Sequence, residues 1–222
     1  MEPVVVRVWD LPTRVFHWSL VGCVSGLVIT GNIGGNAMQW HFWLGYTVLA
    51  LLLFRLVWGF VGGYWSRFST FLFSPRSIVS YVKGLPEPLW TVGHNPLGSL
   101  SVFGILGVLL AQVSTGMMSD DTIAWQGPLV RWVNEQWVEW ATYYHKDIGK
   151  VLLIGLVLLH LNAIAFYRFV KGQRLVAAMI TGDKHLNHHA PDASDSIRQR
   201  VKASIILALC LSLVWFGVLQ WG

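Results

Sequence analysis

Apolar residues run almost unbroken through five stretches of the chain, at about 13–31, 41–62, 96–117, 144–168 and 203–221, and polar residues collect between them. Each stretch is close to the roughly 20 residues that a helix needs to cross the hydrocarbon of a bilayer. They are too long and continuous for strands, and the alternation of a membrane barrel is absent. The pattern predicts an all-α integral membrane helical bundle with five spans. Asn95 followed by Pro96 is a cap-and-start signal for the third. Trp132, Val133, Trp137 and Trp140 recur at helical spacing opposite Asn134, Glu135 and Glu139. They predict a short amphipathic helix in the membrane interface, as an aromatic belt or a docking surface for a basic partner.

Composition agrees with this reading. Of 222 residues, 54% are hydrophobic and 12% charged, about half the share in an ordinary soluble domain. The first residues lack a small-residue cleavage site, so the first span is expected to be retained. Cys23 and Cys210 both lie in apolar runs and form no CxxCH, which excludes covalent c-type haem attachment and a disulfide framework. Segments 1–14, 62–95 and 168–202 hold twelve of the sixteen Lys and Arg residues. By the positive-inside rule the N-terminus is expected in the cytoplasm and the C-terminus on the outer side. The net charge of +5 is thereby a topology signal, and nucleic acid is not expected as a partner.

With that topology the histidines sort by depth. His17 lies near the inner end of span one and His160 toward the inner end of span four; His41 opens span two and His145 opens span four, both outside. Fifteen residues of helix set His145 and His160 about 22 Å apart along the axis, only about 60° apart around it. An ionisable group in the membrane is costly unless paired, which makes these four functional candidates. Two neutral imidazoles at each depth, without thiolate or carboxylate, suit axial ligation of haem iron; zinc wants four ligands. Histidines merely hydrogen-bonded between helices remain an alternative. A proton relay is another, although no Asp or Glu within the spans would continue it.

The segments WDLPTRVFHW, HFWLGYTVLALLLFRLVWGFVGG, GHNPLGSL, HKDIGKVLLIGLVLLH and AMITGDK resemble the bacterial cytochrome b561 family, related to the b-type subunits of nickel–iron hydrogenases and formate dehydrogenases. The resemblance covers roughly residues 5–185. It implies a four-helix core holding two b haems, His17 with His160 on one iron and His41 with His145 on the other. It also implies electron transfer between quinone and a periplasmic partner such as a cytochrome c or redox enzyme subunit. The expected division is a di-haem membrane domain at 1–185, a cytoplasmic polar linker at 186–202 and an added C-terminal transmembrane helix at 203–222. The setting is a bacterial inner membrane, with lipid and quinone around the chain.

Arg55, deep in span two, and Arg14, one turn before His17, are candidates to pair with haem propionates; snorkelling and interface anchoring are the alternatives. His94, beside Asn95 at the inner mouth of span three, is a candidate propionate contact or a base for quinol, expected to titrate near neutral pH. His185, His188 and His189 sit in a stretch that reads as solvated linker. No GxGxxG precedes a helix, so a flavin or nicotinamide domain would lie on another chain. Two other functions stay open: a stand-alone superoxide–quinone oxidoreductase, and a haem-free transporter.

Overall fold

In the computed structural model, which describes residues 4–85 and 87–221 (the side chains of Leu219 and Trp221 excepted), all five apolar stretches are helical. Residues 1–3, Pro86 and Gly222, included in the ranges 1–185 and 203–222 expected from sequence, lie outside the described residues.

The chain opens with strand β1 (Val4–Arg7) and enters α1 (Leu11–Ile33). The Asp10 carboxylate accepts from Thr13 N at 2.8 Å, satisfying one of the amides that a helix start leaves open. Gly34 and Gly35, at φ 69° and 52°, take a left-handed conformation that other residues avoid and turn the chain back into α2 (Met38–Val61). The short α3 (Pro75–Val82) is capped by Ser74, which accepts from Ser77 N. Then α4 (Pro96–Met117) starts as expected, Asn95 Oδ1 accepting from Gly98 N at 2.7 Å.

The fourth span differs from expectation. The Trp-rich amphipathic segment is no separate helix: α5 (Glu135–Tyr143), capped by Asn134, runs through a π-helical turn at Tyr144–Gly149 into α6 (Lys150–Phe169). A π turn wedges an extra residue into the helix and shifts which side chains face a neighbour, and it recurs at functional sites. Here it carries His145. After α6 come α7 (Leu175–Thr181), strand β2 (Asp183–Leu186) and α8 (Ile197–Trp221), the fifth span.

By internal contacts the chain divides into two units. The first comprises the stretch up to His17, Arg55–Gly104 and Leu158–Ile205. Here β1 and β2 pair antiparallel, Val4 opposite Leu186 and Arg7 opposite Asp183, a small sheet that the apolar pattern did not announce. Val6, Val8, Trp9, Trp65, Val92, Ala178 and Ala193 form its core. Residues 190–196, exposed for the most part, are also tied down: Ala193, which is buried, donates its N–H to Arg7 O at 2.7 Å, and Trp65 Nε1 donates to Pro191 O at 2.7 Å. Asp195 accepts from Leu11 N and pairs with Arg7 at 2.8 Å and Arg200 at 3.1 Å.

The second unit comprises Trp18–Phe54, Ile105–Val157 and the stretch from Ile206 on. Its core is Val48, Leu52, Leu109, Val113 and Leu153. Lipid is as apolar as these side chains, so close packing and interhelical hydrogen bonds rather than water exclusion hold this part together.

Candidate functional site

In the second unit, His41 from α2 and the π-turn His145 face each other, ring centroids 6.1 Å apart and planes at 86°. A metal–nitrogen bond of about 2 Å and a ring radius of about 1.1 Å put two imidazoles sharing one metal about 6 Å apart, centroid to centroid. The two rings are held by the same device. His41 Nδ1 bonds Leu27 O at 3.1 Å, and His145 Nδ1 bonds Gln112 O at 2.8 Å. A carbonyl only accepts, so each Nδ1 carries the proton and each Nε2 keeps its lone pair, the tautomer of a metal ligand whose second nitrogen is anchored.

Four residues beyond each acceptor stands a glycine. A Cβ on Gly31 would lie 3.0 Å from His41 Cε1, and one on Gly116 would lie 2.7 Å from His145 Cε1. Gln112 adds a second grip, its Nε2 donating to His145 O at 2.8 Å. Gly45, one turn after His41, has no heavy atom within 4 Å of where a Cβ would stand, so there is space on the ring's own helix face.

The first unit brings together His17, His160, His94, Arg55 and Lys184, close enough for electrostatic interaction. Arg55 is 4% exposed, its guanidinium carbon 4.6 Å over the Phe68 ring and its Nη1 without a hydrogen bond. Asp10, the nearby carboxylate, is spent on Thr13 N, Gly63 N, Trp58 Nε1 and Ser66 Oγ. A buried cation without a bonded anion is costly, so this one fits an acidic group brought by a ligand.

His94 lies between Trp9 and Phe71, centroids 4.7 and 4.5 Å away, with Nδ1 buried and unpartnered. Burial first, then the positive charges of Arg55 and Lys184, push its pKa down to about 3. The expected base titrating near neutral pH is therefore corrected: in these surroundings His94 is a neutral ring. Arg14 is committed in part, donating to Ile180 O at 2.6 Å, while its Nε is free of partners. Both polar atoms of Asn95 are engaged, Oδ1 as the helix cap and Nδ2 with Tyr167 Oη at 2.9 Å; that hydroxyl also meets Tyr81 Oη at 2.7 Å. Among the described residues no three His, Cys, Asp or Glu side chains converge as a metal site, and His185, His188 and His189 form none.

Lys184, in sequence only one of the basic residues that mark the inner side, joins this group in the fold. Its Nζ donates to Val92 O at 2.7 Å, and burial lowers its pKa to about 8. The one available signal was its place at the end of AMITGDK. Gly31, Gly116 and Gln112 gave no signal, because their role depends on which helices meet.

The His41–His145 pair, with each Nδ1 anchored to a carbonyl and set in apolar helices without a CxxCH, makes this a membrane protein built to hold haem without covalent attachment. The chain belongs to the prokaryotic cytochrome b561 family, whose model matches residues 8–182. It is similar to a probable Ni/Fe-hydrogenase B-type cytochrome subunit of Bradyrhizobium diazoefficiens, 25% identical over 81% of this chain and 85% of the relative. The corresponding protein of Azotobacter chroococcum is 25% identical over 84% and 91%. A probable Ni/Fe-hydrogenase 1 B-type cytochrome subunit of Escherichia coli is 26% identical over 49% and 57%. The chain is thus a multi-pass b-type membrane cytochrome that carries electrons, with haem b as its cofactor.

Proposed function

We propose that the chain holds two b haems, one on His41 and His145 and one on His17 and His160, and carries electrons between the quinone pool and an extrinsic redox partner. The observation that carries this reading is the His41–His145 pair, spaced for one metal with both Nδ1 atoms anchored. Haem b supplies a one-electron iron couple. The protein's share is to fix the imidazole tautomers, exclude water from the rings and compensate acidic groups. Arg55, and the Nε of Arg14, are the cations for propionates on the His17–His160 side. His94, neutral and unpartnered at Nδ1, is a hydrogen-bonding group for a quinone head or a propionate beside that pair. The basic segments support a cytoplasmic N-terminus; in that orientation His41, His145 and the link at 118–143, where Asp120, Asp121, Glu135 and Glu139 stand against Arg131, lie on the periplasmic side. The named relatives are hydrogenase B-type cytochrome subunits, which favours a redox enzyme subunit as the partner; a cytochrome c on the periplasmic side is the other candidate.

The test is stopped-flow haem reduction in the purified holoprotein. Glu135→Gln/Glu139→Gln removes exposed charge without disturbing the link, whereas Asp121 organises it by accepting from the N–H groups of Ile123, Ala124 and Trp125. The double variant should slow exchange with a basic carrier, more so at low salt, and leave quinol reduction unchanged. His94→Ala should slow quinol reduction alone. Normal quinol kinetics in His94→Ala would remove quinone from that side.

A further inference from the structure

A cavity of about 620 Å³ opens between the end of α6 and α7, within the first unit. Leu161, Ala165 and Phe169 on α6 and Val176 on α7 give it apolar walls; Arg168 and Arg174 are the charged groups that line it. Both arginines are exposed, and neither takes part in the ion pairs found among the described residues, which converge on Asp183 and Asp195. Gly172, at φ 68°, and the bond from Gln173 N to Tyr167 O at 2.9 Å reverse the chain between the helices and bring Arg174 back beside Arg168. The fourth span ends at Phe169, so the two guanidinium groups stand where the hydrocarbon gives way to headgroups. Leu161, 54% exposed, lies two turns deeper in the span, and Phe169, 84% exposed, stands at its end beside Arg168.

We propose that this cavity binds one anionic phospholipid, its phosphate between Arg168 and Arg174 and an acyl chain along Leu161, Ala165 and Phe169. Two like charges at the rim of an apolar cavity call for an anion. Guanidinium groups hold phosphate in a fork of N–H donors, and basic pockets beside membrane helices take acidic headgroups. A neutral quinone head would leave both charges uncompensated, and a free phosphate would leave the apolar walls bare.

The experiment is native mass spectrometry of the delipidated, haem-loaded protein titrated with dioleoylphosphatidylglycerol, dioleoylphosphatidylcholine or inorganic phosphate. Wild type should take up one phosphatidylglycerol in preference to phosphatidylcholine, and millimolar phosphate should not displace it. Arg168→Gln/Arg174→Gln should weaken that binding about thirtyfold. Ala165→Trp, which fills the cavity and keeps both charges, should weaken it too, whereas Arg76→Gln/Lys83→Gln, which removes equal charge elsewhere, should not. Equal uptake of both lipids, undiminished binding in the arginine variant, or displacement by phosphate at equal concentration would each overturn the assignment; displacement by phosphate would leave a free-anion site in its place.

Discussion

Gly116→Ala sets chain stability and cofactor affinity against each other. The new Cβ would stand 2.7 Å from His145 Cε1 and 3.0 Å from Nδ1, where ordinary contact begins at 3.4 Å. The ring must therefore retreat by about 0.7 Å, because a close-packed interior does not absorb such an overlap. The bond from Nδ1 to Gln112 O, 2.8 Å long, is then stretched to as much as about 3.5 Å, beyond the ordinary N–H···O distance of about 2.7–3.2 Å. Losing such a partner behind a metal ligand typically costs about 10–100-fold in affinity. The backbone change acts in the opposite direction: alanine is favoured over glycine by about 0.5–1 kcal/mol inside a helix, and Gly116, in the last turn of α4, gains at most the lower part of that. Apoprotein should accordingly unfold no earlier than wild type, while haem titration shows one binding step weakened about 10–100-fold. Gly31→Ala is the internal comparison, since its Cβ would lie 3.0 Å from His41 Cε1 and needs a smaller retreat; its loss should stay below about tenfold. Wild-type haem affinity in Gly116→Ala, or a larger loss in Gly31→Ala, would refute the role given to the two glycines.

Other perturbations separate structure from binding in the same way. Arg55→Leu should leave apoprotein stability unchanged or raised, because it removes a buried cation without a hydrogen-bonded anion, while haem retention falls about tenfold or more; equal destabilisation with and without haem would show the arginine to be structural. Burial alone would raise the pKa of Asp195, but the Arg200 side chain, the Leu11 N–H and Arg7 together hold it below its ordinary value. A depressed carboxylate stabilises the fold above its unfolded pKa and loses that stabilisation as pH falls through the folded one, so the unfolding temperature should drop from about pH 4 downward. Asp195→Asn should flatten that acid limb and cost about 2–3 kcal/mol near neutral pH, read by thermal unfolding; an unchanged limb would free the 190–196 strap from Asp195.

The five spans were legible because lipid tolerates only long apolar helices, and that demand writes itself along the sequence. His17, His41, His145 and His160 stood out for the same reason, as polar rings where polarity is expensive. The sheet of Val4–Arg7 with Asp183–Leu186 was not legible: it joins segments far apart in sequence, and each strand is only four residues long. The π turn at Tyr144–Gly149 left no mark either, since the apolar pattern of the fourth span runs through it at helical spacing. Asp195 read as part of a solvated Asp- and Ser-rich stretch because its partners, Arg7, Arg200 and Leu11 N, are reached only after folding. His94 stood out as a polar residue near a span, but its neutral state depends on Trp9, Phe71, Arg55 and Lys184, drawn from four separate segments.

The most direct test of two separate histidine pairs is the haem content of four single variants, measured as pyridine haemochrome per polypeptide together with reduced-minus-oxidised spectra. Wild type should hold two haems, and His17→Ala, His41→Ala, His145→Ala and His160→Ala about one each. His41→Ala and His145→Ala should share one residual spectrum and His17→Ala and His160→Ala the other, because ligands of one iron act as a unit. A wild-type content of one haem, or a common residual spectrum for His41→Ala and His160→Ala, would contradict the pairing.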